Sequence, residues 1–322
     1  MIDFNALDVV VLAGGISHER DVSLRSGRRV ADALTTAGHR VTILDPNADL
    51  LPNLSAHRPD VIFPALHGSS GEDGSLLSLL AALALPTVGS TAEAARRTWS
   101  KPNASSIVAN AGVRVPRSVS LSQESFRELG ASGVLHVVKD YLVGDVVVKP
   151  SSGGSAQGVS IVKDPTHLAR AVVEAFNYND HALIEERIIG TELALTILDI
   201  PGNTSAFPAV EIEPIDGTYG YAARYNAGLT TFYTPARLDD TAAAAVAHAA
   251  LTAHQALGLR DISRIDFVVD ASGTPWFLEA NVLPGFTETS LVPLAIEASG
   301  CSVPDVYASL VTAAWQRSRQ NT

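Results

Sequence analysis

The chain has 322 residues, 46% of them apolar, with 24 glycines and 17 prolines, which suits two or three compact α/β units sharing interfaces. Its 34 acidic residues outnumber 23 basic ones, and the formal charge of −11 argues against a general nucleic-acid or anionic-membrane binder while allowing a local basic pocket. The lone cysteine, Cys301, excludes an internal disulfide, and no Cys/His spacing suggests zinc. The N-terminus lacks a basic leader and enters a strand almost at once. The most apolar stretch, residues 76–88, carries Ser78 and Pro86 and is too short to span a bilayer. A reducing cytoplasm is the expected location.

Residues 8–13 read as a buried strand running into Gly14–Gly15. Asp21 or Ser23 is expected to cap a helix with Leu24, Val30, Ala33 and Leu34 at roughly helical spacing. Strands over 40–44 and 61–65 complete a βαβ opening with a parallel sheet. The dinucleotide fingerprint G-x-G-x-x-G is absent, since Gly15 is followed by Ile16, Ser17, His18 and Glu19, so a nicotinamide-binding domain is disfavoured. Glu19 and Asp21 equally suit a helix N-terminus with no further role. The third strand delivers a loop, LHGSSGEDG, holding His67 and Glu72. Composition shifts over 89–95, the expected first domain boundary. Lys101, in TWSKPNAS, reads by itself as an ordinary surface lysine, and Pro102 can start a helix ended by Gly112.

Residues 145–162, DVVVKPSSGGSAQGVSIV, carry more information. A buried strand delivers Lys149, a Gly/Ser loop follows, and a second strand returns. Glycines let backbone N–H groups wrap phosphate oxygens, and Lys149 adds a point charge. This is not a P-loop, because the lysine precedes the loop. An amphipathic helix over 164–176 and a strand over 182–188 follow, then strands in TELALTILD and PAVEIEP. Residues 218–238 have no clean period, and 239–259 form an alanine-rich helix.

Residues 263–293 contain two apolar runs around Ala271–Ser272–Gly273–Thr274, the pattern of a β-hairpin. With Ser272–Gly273 as the turn, Asp266 faces Glu279 and Arg264 faces Asn281. All four then project from one side, with Ile265, Phe267, Val269, Leu278 and Ala280 on the core side. Opposed carboxylates repel unless neutralised. Three oxygen donors on one face suit a hard cation such as Mg²⁺, which keeps waters and bridges to phosphates. A solvated face paired through Arg264 is the plainer alternative. Helices over 290–298 and 303–317 close the chain.

GGISHERDVSLRSG, LHGSSGEDG and RIDFVVD…WFLEANVLPGFTETSLVP together resemble the D-alanine–D-alanine ligases of the ATP-grasp superfamily, and the resemblance runs through nearly the whole chain. It implies an α/β, three-domain ATP-grasp fold with an N-terminal Rossmann-like parallel-sheet domain. The divisions would fall at 1–97, 98–186 and 187–322. By the same resemblance Glu19 receives the first D-amino acid's ammonium, Ser155 hydrogen-bonds with Glu19 and Tyr225, and His67 and Glu72 lie near the first substrate. Lys101, Lys149 and Arg224 would meet ATP phosphates, Glu185 and Ile188 the adenine, and Glu192 the ribose. Asp266, Glu279 and Asn281 would hold Mg²⁺ or Mn²⁺. Arg264 and the Gly285 N–H would stabilise an oxyanion, with Ser290 and Leu291 on the second substrate's carboxylate.

The implied reaction is ATP-dependent ligation of two D-alanines through an acyl phosphate, for peptidoglycan precursor synthesis, by a homodimer. Departures from the family pattern fall at Ser100, Ala156, Ala222, Arg224 and the Val282–Leu283 pair. They bear on the second substrate, so an acceptor such as D-serine or D-lactate is one alternative. A binding protein without turnover is another, and the complete Asp266, Glu279, Asn281 set speaks against it.

Overall fold

The computed structural model describes residues 6–217, 219–220, 223–224 and 228–320, so the expectations for Ala222 and Tyr225 fall outside the described residues. Three sheets organise the chain. In the first, β1 (Asp8–Leu12) lies between β2 (Arg40–Leu44) and β3 (Val61–Pro64), all parallel. β3 is buried throughout and β1 nearly so, as strands of a parallel sheet covered on both faces are.

The helix Arg20–Thr36 returns across this sheet, with Glu19 at its N-cap rather than Asp21 or Ser23. Its buried stripe is Ser23, Ser26, Gly27, Val30, Ala31 and Leu34. Two hydroxyls thus occupy positions that a search for apolar residues passes over. Ser23 accepts a hydrogen bond from the Gly14 N–H (2.8 Å) and donates to the Ala65 carbonyl (2.7 Å), so it is spent on fastening the helix to the ends of β1 and β3. Close approach also requires Gly27, where a Cβ would sit 2.2 Å from that of Ala13.

The second sheet is antiparallel: β4 (Ser118–Ser122), β5 (Val146–Pro150), β6 (Ser160–Val162) and β7 (His181–Glu186), in the order β4-β7-β5-β6. Helices Ala131–Tyr141 and Leu168–Phe176 bury Leu135, Val138, Leu168 and Val172 with Val148 and Ile184. The strand expected over 182–188 stops at Glu186, so Ile188 lies in the connection to the third sheet.

The third sheet holds β8 (Gly190–Ile200), β9 (Asn203–Ala206), β10 (Val210–Pro214), β11 (Thr230–Tyr233), β12 (Asp261–Asp270) and β13 (Pro275–Asn281), in the order β11-β10-β8-β12-β13, with β9 on the end of β8. Helix Asp240–Leu257 covers it, capped by Asp239, which accepts from the Ala242 N–H at 2.8 Å, and closed by Gly258 in the left-handed region. A core joins this sheet to the first, centred on the edge-to-face contacts of Phe286 with Phe63 and Tyr307. No helix among the described residues is long and apolar enough to cross a membrane.

The β12–β13 hairpin corrects one expectation in an instructive way. Its loop is not a two-residue Ser272–Gly273 turn. Strand pairing stops at Val269↔Pro275, and Asp270 gathers the loop by accepting from the N–H groups of Ser272 (2.8 Å) and Thr274 (3.1 Å) and from Trp276 Nε1 (2.8 Å). An aspartate that bonds the backbone ahead of it favours this wider turn. The register is therefore one residue off near the loop, and a β-bulge after Phe277 restores it, giving Asp266↔Glu279 and Arg264↔Asn281 as expected. The bulged residue is Leu278. It leaves the core side and lines a cleft together with Glu279.

Candidate active site

A cavity of about 730 Å³ lies between the second and third sheets. Val147 and Ile161 form one apolar wall, and Val268 and Leu278 the other. Flat apolar walls with a few convergent charges are the usual make-up of a small-molecule site. The connection 187–189, including Ile188, forms part of its rim, beside Glu185 and Glu192.

The two lysines in this cleft are already paired. Lys149 on β5 and Glu185 on β7 are both buried and stand 2.5 Å apart, diagonal neighbours across the ladder. Lys101 reaches Glu279 at 2.9 Å and donates to the Gly153 carbonyl at 2.7 Å. Its backbone N–H also binds the Ser151 carbonyl at 2.9 Å, so the helix bearing Lys101 is tied to the Gly/Ser loop after β5. Burial is the main influence that raises the Glu192 carboxyl, to about 7, opposed by Arg224 and aided by Asp266 and Glu279. Arg224 lies over the Tyr219 ring at 4.4 Å and donates to its carbonyl at 3.2 Å.

On the open face of the hairpin, Arg264 grips Asp266 with two parallel bonds of 2.8 and 2.9 Å, and Asn281 Nδ2 donates to Asp266 at 3.3 Å. Burial works to raise Glu279, but Lys101, Arg224 and Lys149 overcome it and hold the carboxyl well below the usual range. Among the described residues no three His, Cys, Asp or Glu side chains form a ready-made metal cage. Two carboxylates and one amide oxygen on one face nevertheless fit Mg²⁺, which takes few protein ligands and keeps the rest for water and phosphate.

A second cavity of about 100 Å³ adjoins the first, and the two share Glu19, Gly154, Arg224 and Glu279 as lining. Glu19 comes from the loop ahead of the first helix and accepts a hydrogen bond from the Ser155 hydroxyl. It is cradled by two glycines. A Cβ at Gly68 would come within 2.7 Å of its carboxylate, and one at Gly154 within 3.2 Å. Arg264, Asn281, Gly285, Ser290 and Leu291 complete the opposite wall. Ser290 starts the helix Leu291–Ala298 and accepts from the Thr287 N–H at 2.9 Å.

His67 lines this small cavity, but both ring nitrogens are engaged. Nδ1 lies 3.2 Å from the Leu283 carbonyl and Nε2 lies 3.0 Å from the Ser26 hydroxyl, which also accepts the Phe286 N–H at 3.2 Å. The carbonyl can only accept, so Nδ1 carries the hydrogen and Nε2 accepts a hydrogen bond from the Ser26 hydroxyl. Burial, helped by the Arg264 charge, lowers the ring to about 4, so it is neutral at ordinary pH. His67 and Ser26 thereby pin the loop 283–286 to the first sheet and its helix. Ser26 was invisible as a site residue, being one serine in a helix. Tyr219 was equally hidden, in a stretch without period.

Glu72 accepts the Gly68 N–H at 3.0 Å. Burial first, then the Glu19 charge, raises its carboxyl to about 8. A carboxyl raised on folding favours the native state only while protonated, so stability falls as pH climbs from about 4.5 to about 8. Glu72→Gln keeps the acceptor without the charge. We expect it to leave denaturant stability unchanged at pH 4 and to raise it by on the order of 2 kcal/mol at pH 8.5. Equal midpoints for the two proteins at pH 8.5 would contradict the assignment.

Residues 107–312 match the family model described as "D-ala D-ala ligase C-terminus". The chain is 40% identical over 299 residues to the D-alanine–D-alanine ligase of Anaeromyxobacter sp. (strain Fw109-5), covering 92% of this chain and 94% of the relative. It is 36% identical over 306 residues to that of Halalkalibacterium halodurans, covering 95% and 98%. Among solved structures, the D-alanine–D-alanine ligase of Bacillus anthracis complexed with ATP superposes with a TM-score of 0.82 at 26% identity, over 98% of this chain and all of that one. The VanG D-Ala:D-Ser ligase of Enterococcus faecalis gives a TM-score of 0.82 at 25% identity, over 96% of this chain and all of that one. With the same motifs lining the two adjoining cavities, and relatives that align over more than nine-tenths of both chains, the chain belongs to the D-alanine–D-alanine ligase family.

Proposed function

We infer that the chain uses ATP to join two D-alanine molecules into D-alanyl-D-alanine, a peptidoglycan precursor. The observation that carries this is the pair of adjoining cavities sharing Glu19, Arg224 and Glu279 as common walls. A nucleotide-sized cleft opens onto a space suited to a small amino acid, with Arg264 on the wall of the latter. Units at 1–97, 98–186 and 187–322 are proposed to contribute the amino-acid loops, the phosphate loop and the metal hairpin respectively.

In this reading ATP lies between the second and third sheets, its adenine between the apolar walls. Glu185 and the backbone at Ile188 face the ring, and Glu192 faces the ribose. Lys101, Lys149 and Arg224 attract the phosphates. Glu19 holds the first D-alanine's ammonium, with Ser155 orienting the carboxylate that does so. The D-alanine carboxylate attacks the γ-phosphorus, ADP leaves, and an acyl phosphate results. The second amine attacks that carbonyl, and Arg264 with the Gly285 N–H stabilises the oxyanion before phosphate departs. Ser290 and the N–H groups opening the helix Leu291–Ala298 receive the second carboxylate. Asp266, Glu279 and Asn281 would hold Mg²⁺, which when bound neutralises phosphate charge.

The test is phosphate release from ATP and Mg²⁺ with D-alanine, against L-alanine, with the product identified by mass. D-alanine-dependent phosphate with D-alanyl-D-alanine as product is expected. Release only after D-serine or D-lactate is added would replace the acceptor, and the likeness to a D-Ala:D-Ser ligase makes that panel worthwhile.

A further inference from the structure

We propose that Asp261 is a positioning residue that latches the N-terminal unit, with Glu19 and His67, onto the hairpin bearing Arg264 and Asp266, and so sets the affinity for D-alanine but not for ATP. The inference rests on the functional reading above for its kinetic consequence. Its structural basis is separate.

Asp261 opens β12 and is completely buried. Its φ is +65°, a region that residues other than glycine seldom occupy, though Asp tolerates it better than most. Both carboxylate oxygens are engaged. Oδ1 accepts from Arg317 at 2.6 Å, while Oδ2 accepts from Arg317 at 2.8 Å and from the Gly89 N–H at 2.7 Å. The neighbouring Arg260 completes the grip from the other side, donating twice to the Gly89 carbonyl (2.9 and 2.7 Å), and its backbone N–H donates to Ser90 at 3.2 Å. One glycine thus has its N–H and its carbonyl held by two consecutive residues.

Gly89 belongs to the first unit. The segment before it extends the first sheet, with the Ile62 N–H on the Pro86 carbonyl (2.7 Å) and the Val88 N–H on the Ile62 carbonyl (2.9 Å). Arg317 brings in the helix Val303–Gln320, whose other partner is the Thr87 carbonyl at 3.4 Å. A rigid path therefore runs from β3 through Gly89 to Asp261 and along β12 to Arg264 and Asp266. A buried carboxylate held by three hydrogen bonds, two of them from one guanidinium, has little conformational slack, and buried ion pairs serve geometry better than they serve stability. The small cavity takes its walls from both ends of this path: Glu19, His67 and Glu72 on one side, Arg264 and Asn281 on the other. The large cavity lies mainly between the second and third sheets, which the latch does not join.

Asp261→Gly removes the carboxylate while suiting the positive φ, and Arg317→Gln loosens the same latch from a partly exposed residue. Both are compared with wild type by steady-state phosphate release and by hydrogen exchange at 87–90 and 14–19. We expect the KM for D-alanine to rise about tenfold or more in Asp261→Gly, less in Arg317→Gln, with the KM for ATP within about twofold in both. The double variant should be no worse than Asp261→Gly, and exchange at both segments should quicken. Parallel rises in the two KM values, or a fall in kcat alone, would reduce Asp261 to a residue of general stability and overturn the proposal. A wild-type protein without D-alanine turnover would refute the function instead. Exchange would still decide the latch, and unchanged exchange in both variants would sink it.

Discussion

Glu279→Gln is expected to lower kcat by about 10²–10³-fold with the folded state intact. The side chain is isosteric, and its Lys101 partner keeps the Gly153 carbonyl at 2.7 Å. What disappears is a carboxylate that stays ionised in a partly buried place because three cations face it. That charge stands opposite Asp266 in the ladder, where the proposed metal would need two anionic oxygens. Turnover should therefore recover in part as Mg²⁺ is raised, with a higher half-saturating concentration than wild type needs. Thermal melts taken beside the Mg²⁺ titration separate lost chemistry from lost structure. Wild-type turnover in this variant would remove Glu279 from the metal set.

Arg264→Met should produce the largest loss of stability. Arg264 and Asp266 have side-chain exposures of 13% and 8%, so deleting the guanidinium leaves a buried carboxylate with only the 3.3 Å bond from Asn281. Breaking a buried pair from one side costs about 3–5 kcal/mol, and denaturant unfolding measures it directly. Arg264→Lys should recover part of the stability but little activity, because an ammonium cannot reproduce two parallel bonds. If Arg264→Met stays within about 1 kcal/mol of wild type, the pair is solvated and not the anchor described here.

The hairpin shows how far sequence carries. Its pairings at the site are those the alternation of side chains dictates, yet the turn behind them is different. Asp270 widens the loop, and the bulge at Leu278 compensates by one residue. Periodicity reads the side chains that alternate, and a bulge is the place where alternation fails. The first sheet was legible because β1 and β3 are unbroken apolar runs. Helices such as Leu50–His57 and Ala92–Trp99 were not, being short and carrying few apolar side chains at regular spacing. Ser26 and Asp261 escaped for another reason. Their roles come from partners 41 and 56 residues away in the chain, and no local pattern records such pairing. The salt link of Lys149 to Glu185 is similar, since each was read for a ligand and the structure pairs them with one another.

That pairing has a consequence for how the cleft meets simple anions. Free inorganic phosphate arriving there meets lysines already bound, Lys149 by Glu185 at 2.5 Å and Lys101 by Glu279 at 2.9 Å. It offers those carboxylates nothing in return, so desolvating it beside them is unfavourable. A nucleotide that brings its own counter-cation gives Glu279 a new partner as it takes Lys101 away. Binding is thus expected to proceed by exchange of partners, with common anions poor competitors for the nucleotide.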